Sequence, residues 1–247
     1  MTDQKLRLDR LLANMGYGSR KDIQALVKHG RITLDGHAVT EADMHVVAAP
    51  DLSARLRIAG EALDPPPGVI VMLHKPLGVT CSHKEAGPLV YDLMPLRWRA
   101  RKPAISSVGR LDKETSGLLL MTDDGALLHR IIAPKSNVTK RYRATLARPL
   151  SGKEADVLAS GTLMLDGETK PLLPVVMSIE RDRDGETIVE VTLSEGRYHQ
   201  VRRMFAALGN HVTALHRVAI GKLLLPPDLA AGKLRPLQDS ELRAIFL

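Results

Sequence analysis

The stretch Gly109-Arg-Leu-Asp-Lys-Glu-Thr-Ser-Gly-Leu-Leu-Leu-Met121 sets one carboxylate, Asp112, between Arg110 and Lys113 and then runs straight into the apolar segment Leu118 to Met121. A charge at the mouth of a buried segment is costly unless it is paired. Asp112 is therefore either half of a structural ion pair or a reactive group kept ionised by its neighbours. Glycoside hydrolysis would need a second cooperating acid, whereas Asp112 sits in basic surroundings. The chain has no nucleophile elbow, no HExxH, no CxxC pair and no Gly-rich phosphate loop. Asp123-Asp124-Gly125 reads as a turn, because no further acids lie nearby to complete a metal site.

The surroundings of Asp112 are cationic. The net charge is +7 over 247 residues, and the basic residues cluster: 97–113 hold six Lys or Arg against Asp112 alone, 126–148 six against no acid, and 195–222 five against one. Such clusters favour an anionic partner. A hydrophobic content of 44% is ordinary for a globular chain with one large or two unequal domains. The opening Met1 to Asp9 is polar and charged, and no apolar run approaches the roughly 18 residues of a membrane span, so a cytoplasmic protein without membrane contact is expected. The single cysteine, Cys81, excludes an internal disulfide and reads as packing.

The elements that must position Asp112 follow from the apolar spacing. Leu8, Leu11 and Leu12 mark a first helix, broken at Gly16 and Gly18. Ser19 is an N-cap for a second helix, Arg20 to Lys28, which Gly30 stops. A hairpin follows, Arg31 to Leu34 and His37 to Val39 around the turn pair Asp35-Gly36. This small module, residues 1–60, carries Arg7, Arg10, Arg20, Lys21, Lys28 and Arg31 on its surface. Residues 61–68, with Pro65, Pro66 and Pro67, read as a stiff linker. In 69–247, strands are expected at Val69–Leu73, Leu118–Met121, Lys140–Ala147 and Glu186–Ser194. Helices are expected at Ala126–Ile132, Ser151–Ser160 with a Ser151/Glu154 capping box, and Tyr198–Leu208. Without a regular βαβ repeat, these predict an α+β domain with a mainly antiparallel sheet and flanking helices.

The run SRKDIQALVKHGRITLDGHAV resembles the S4 RNA-binding domain, which reads structured RNA through a basic helical face. GRLDKETSGLLLMT resembles the active-site motif of the pseudouridine synthases. LHKPLGVTCS is similar to that family's Asn-Lys-Pro-x-Gly segment, with His74 in place of the commoner Asn, TKRYRATL to its Lys-x-Tyr motif, and EGRYHQVRRMFAALGNHVTALHR to its third motif. With the S4-like module and Thr169-Lys170-Pro171, the resemblance covers nearly the whole chain and points to the branch that modifies bacterial small-subunit ribosomal RNA.

The resemblance implies isomerisation of uridine to pseudouridine, with Asp112 as the catalytic carboxylate, Tyr142 stacking on the base, and Arg202 forming an ion pair that keeps Asp112 ionised. The bond from ribose C1′ to uracil N1 breaks and C5 bonds instead, with no atoms gained or lost, so no cofactor or metal is expected. Asp112 can attack C1′ or the uracil ring, or assist proton removal at C2′; the sequence leaves these open. Arg110 would fill the gap left by the flipped nucleotide. Further RNA contacts are expected at Arg20, Lys21, Lys28, Arg31, Lys75, Lys140, Arg197, His199, Gln200 and Arg203. His199, His211 and His216 read as RNA contacts or packing, having no metal-ligand spacing. The expected partner is 16S ribosomal RNA or a small-subunit assembly intermediate, bound by a monomer. The alternatives are an S4-containing assembly factor without activity, or a synthase acting on 23S or transfer RNA.

Overall fold

A computed structural model describes residues 5–82, 84, 86–183 and 186–247. The chain divides into two compact units. The first takes the chain up to Val71, together with Met94–Ser106 and Met121–Gly125; the second comprises Met72–Leu93, Ser107–Leu120 and Ala126–Leu247.

The first unit opens with β1 (Lys5–Arg7), α1 (Leu8–Asn14), α2 (Arg20–Lys28), β2 (Ile32–Leu34), β3 (His37–Ala38) and β4 (His45–Val47), then α3 (Leu52–Arg55), β5 (Leu56–Ile58) and β6 (Glu61–Ala62). Helix α2 starts where the sequence places it. Ser19 Oγ accepts from the Asp22 N–H at 3.2 Å while the Asp22 carboxylate accepts from the Ser19 N–H at 2.7 Å, satisfying two otherwise orphaned donors. In the hairpin, Asp35 and Gly36 both take positive φ, 52° and 82°, as a two-residue turn matched to strand twist demands. The strands pair in the order β3-β2-β5-β6, and Leu8, Leu11, Leu12, Ile23, Ile32 and Leu56 form the core between helices and sheet.

Residues 61–68 do not behave as a tether. Leu63 is buried in the helical core, and the Asp64 N–H donates to Tyr17 Oη at 2.8 Å. The Asp64 carboxylate accepts from Arg97 Nε at 2.6 Å, and Pro65 O from Arg101 Nη2 at 2.9 Å. Consecutive prolines forbid regular pairing of the segment without forbidding its packing, so composition alone suggested more freedom than exists. Asp123, expected in a turn, is likewise structural: its carboxylate accepts from the Gly68 N–H at 2.8 Å and pairs with Arg101 at 3.2 Å.

The second unit is built on a nine-stranded sheet. Its elements, of which β7, β8, β9 and α5 begin or end in the first unit, are β7 (Ile70–Lys75), β8 (Ser106–Ser107), β9 (Ser116–Thr122), α5 (Gly125–Ile132), β10 (Lys140–Leu146), α6 (Glu154–Ala159), β11 (Val176–Arg183), β12 (Glu186–Leu193), α7 (Gln200–Ala207), β13 (Val212–Ile220), β14 (Leu223–Leu224), β15 (Leu234–Pro236) and α8 (Asp239–Ala244); the short α4 (Leu96–Arg99) belongs to the first unit. The main order is β11-β12-β10-β13-β9-β7-β15. Pairing is antiparallel from β11 through β13, whereas β13 runs parallel to β9. Ala144, Val189 and Val191 are buried together with Met204 and Phe205 of α7. Helix α6 begins three residues later than its capping signal suggested: Glu154 makes its half of the box, accepting from the Ser151 N–H at 2.8 Å and also from the Gly152 N–H at 3.0 Å, but no side chain caps the helix start.

Candidate active site

Asp112 stands in the loop between β8 and β9, where the Thr115 N–H donates to Asp112 O at 3.0 Å and closes a turn. Two cations grip this loop by its carbonyls. Lys75, at the end of β7, is fully buried, and its ammonium donates to Thr115 O at 2.8 Å, Pro76 O at 2.9 Å and Lys113 O at 3.4 Å, using all three donors. Burial pushes the Lys75 pKa down, while Cys81, Asp112 and Glu114 pull the other way. From α7, Arg202 donates to Glu114 O at 2.7 Å and Val212 O at 2.9 Å. The Asp112 carboxylate, 35% exposed, is left to face a cleft, with His199 Nε2 3.4 Å away.

The facing wall comes from β10 and β13. Tyr142 on β10 sits opposite Arg217 on β13, and Lys140 lies two residues back on the same face. Arg217 is 4% exposed. Its Nε donates to Leu118 O at 2.7 Å and its Nη1 to Tyr142 Oη at 3.3 Å, with the guanidinium 5.8 Å from the tyrosine ring centre. Gly117 permits this crossing. Its φ is +111°, and a Cβ there would come within 2.3 Å of Arg217 O, so β9 and β13 approach closely only because the position has no side chain. The resulting cleft has a volume of about 430 Å³, within the range of small-molecule sites.

The structure gathers Arg110, Asp112, Lys140, Tyr142, Arg197, His199 and Gln200 around this cleft. It does not bring Arg202 to the Asp112 carboxylate. The expected ion pair is absent among the described residues, and Arg202 instead faces the opposite side of the sheet with Glu114, Arg143 and His216. The reason is helical geometry: α7 begins at Gln200, so Gln200 and Val201 reach the cleft while position 202 turns away. The buried arginine beside Tyr142 is Arg217, which the sequence reading passed over. A signal existed, since Arg217 closes the third motif on a strand where alternation puts it on the Tyr142 face.

Several residues expected at RNA spend their polar groups internally. Arg20 holds the fully buried Asp9 carboxylate through Nε at 3.1 Å and Nη2 at 2.8 Å. Arg197 binds Glu195, Lys170 O and Pro171 O, pinning the Thr169-Lys170-Pro171 segment. Arg203 pairs with Glu168 at 2.9 Å, and buried Gln200 bonds Glu195 and the Arg197 N–H. Lys75 is inaccessible. Lys21, Lys28 and Arg31 are exposed. His74 donates from Nδ1 to Leu229 O at 2.7 Å and sets its ring edge-on to His216, whose Nδ1 lies 2.8 Å from Ser116 Oγ. Both rings are packing elements, and burial, followed by His74 and Arg143, holds the His216 pKa down.

A family model for RNA pseudouridylate synthases matches residues 69–207, and one for the S4 domain matches residues 6–48. The chain belongs to the RNA pseudouridylate synthase family. The enzyme is 37% identical over 243 residues to the Ribosomal small subunit pseudouridine synthase A of Escherichia coli, covering 97% of this chain and 100% of the relative. It is 37% identical over 242 residues to the Uncharacterized RNA pseudouridine synthase YtzG of Bacillus subtilis, covering 97% and 98%. A crystal structure of a pseudouridylate synthase, 36% identical, superposes with a TM-score of 0.66 over 97% of this chain and 99% of the other. The synthase thus pairs an S4 module with an isomerase domain, and among its described residues no helix is long and apolar enough to cross a membrane.

Proposed function

We propose that this synthase converts a uridine of ribosomal RNA to pseudouridine, that the RNA is the 16S RNA of the small subunit, and that Asp112 is the carboxylate that reacts. The observation that carries the reading is that, among the described residues, Asp112 is the one acid lining a cleft it shares with Tyr142 and Arg217. A half-buried carboxylate held by its loop's main chain, and paired with no arginine among the described residues, can act on a nucleoside entering beside Tyr142. The Tyr142 ring supports stacking on the base. Arg202 and Lys75 are positioning residues that fix the loop. Lys21, Lys28 and Arg31 of the S4 module supply phosphate contacts that fix register without reading sequence. The small-subunit assignment rests on the names of the relatives.

The test is a map of pseudouridines in ribosomal and transfer RNA from cells with and without the protein, complemented by wild type or Asp112→Asn. One 16S position should lose its modification and regain it only with wild type. A lost position in 23S or transfer RNA would move the substrate. Restoration by Asp112→Asn would remove Asp112 from the chemistry, and an unchanged map would leave an RNA-binding protein that modifies neither.

A further inference from the structure

Arg217 is the most buried charge in the cleft, and its Nη2 is shielded from solvent with no hydrogen-bond partner. Two residues from Tyr142 on the same face, Lys140 also lines the cleft, and burial and then Arg217 itself push its pKa down. Among the described residues neither cation is paired with a carboxylate, whereas the neighbouring Arg197 is met by Glu195 and Glu168. Buried charge without a counter-ion is expensive. Among the described residues, the cleft offers these two cations one negative group, Asp112.

On the reading of this cleft as the uridine site, we infer that Arg217 and Lys140 are catalytic residues that hold the uracil ring while it carries negative charge. The electron count leads there by each route open to Asp112. If a carboxylate oxygen bonds to C1′, the C1′–N1 pair departs on N1 and spreads over O2 and O4. If the carboxylate takes the C2′ proton instead, a C1′–C2′ double bond forms and the same pair leaves on N1. If the carboxylate adds to the ring, the displaced π pair rests on the ring oxygens. In all three, Asp112 becomes neutral as the ring becomes an anion. Negative charge therefore migrates from Asp112 to the base, and two cations lacking any other counter-ion stabilise the base at that moment and not before, which is the condition for lowering the barrier. When C5 bonds to C1′ the ring is neutral and Asp112 regains its charge, as its bond to C1′ or the ring breaks or as C2′ takes its proton back; a base then carries the C5 proton to N1, and the ring stays neutral.

The experiment compares single-turnover rates of wild type, Lys140→Met and Arg217→Met on one RNA carrying either uridine or 5-fluorouridine at the target, scored by loss of the N-glycoside, with RNA affinity measured separately. Fluorine withdraws electrons and makes the ring anion more stable by itself. Each variant should lose about 10²-fold or more on uridine, the scale of one positioned electrostatic donor, and at least about tenfold less on 5-fluorouridine, with affinity nearly unchanged. Equal losses on both bases, or losses confined to affinity as for a phosphate contact, would overturn the inference, as would a wild-type rate in Lys140→Met. If Arg217→Met fails to fold by circular dichroism, Lys140→Met, on the half-buried residue, decides. Asp112→Asn in the same assay keeps the two readings apart: if it turns over normally the site assignment itself fails, whereas an inactive Asp112→Asn beside unaffected cation variants rejects only the charge-transfer role.

Discussion

Replacing Arg202 by Met separates two accounts of an arginine whose sequence context suggested an ion pair with the reacting carboxylate. In the structure its guanidinium touches Glu114 O and Val212 O, at 2.7 and 2.9 Å, and no carboxylate among the described residues. Charge-assisted bonds contribute about 1.5–3 kcal/mol each, and with one of the two at the surface the lower end applies, giving a loss near 2–3 kcal/mol. Part of that loss appears as lower global stability and part as freedom of the Asp112 loop, since Glu114 lies two residues beyond the carboxylate. At 1.4 kcal/mol per decade, with about half of the loss falling on the loop, the folded variant should be slower by roughly 5-fold to 12-fold in single turnover. A lost carbonyl contact removes no counter-ion, so the deficit should stay constant across the neutral range; a lost ion pair would instead let activity recover as pH rises. The assay is a pH profile of the single-turnover rate beside a urea midpoint. A deficit that shrinks steeply with rising pH, or a wild-type rate at reduced stability, would refute the positioning role.

Lys75→Met should lower the urea midpoint and the rate together, because three carbonyls lose an ammonium and buried unmet acceptors cost about 1–3 kcal/mol each; an unchanged midpoint would contradict the clamp. Asp9 is fully buried, and although burial raises its pKa, the bonds from Arg7 and Arg20 outweigh this and leave it lowered. Its contribution to stability should therefore be complete above the unfolded value of about 3.9 and disappear as pH falls through the folded one, and Asp9→Asn should flatten the acid limb of the melting profile while costing about 3–5 kcal/mol at neutral pH. Gly117→Ala should prevent normal folding or cost several kcal/mol, since its Cβ meets Arg217 O and a positive φ forbids relief; circular dichroism and thermal melting read this. Lys21, Lys28 and Arg31 changed singly to Ala should each reduce the slope of log affinity against log salt by about 0.7–0.9 if each meets one phosphate, and unchanged slopes would remove the residue from the RNA contact.

Much of this molecule is written in local chemistry. Ser19 with Asp22, the Asp35-Gly36 pair and the apolar run at 118–121 each decide their element within a few residues, so helix α2, the hairpin and strand β9 were legible, as was Asp112 as the chemically odd residue. The family motifs added Tyr142 and the RNA-modifying reaction. What the chain order hid was direction. Whether an arginine in the third motif faces the carboxylate depends on where α7 begins, and its start at Gln200 sends Arg202 to the carbonyls of Glu114 and Val212 while β13 carries Arg217 to Tyr142. Basic residues counted as RNA contacts proved to be committed within the fold, as Arg20 is to Asp9 and Arg197 to Glu195, because composition records a charge and not its partner. The prolines at 65–67 announced a break in regular structure, but whether such a segment hangs free or packs depends on Tyr17, Arg97 and Arg101, which lie far from it in sequence and meet it only in the folded unit.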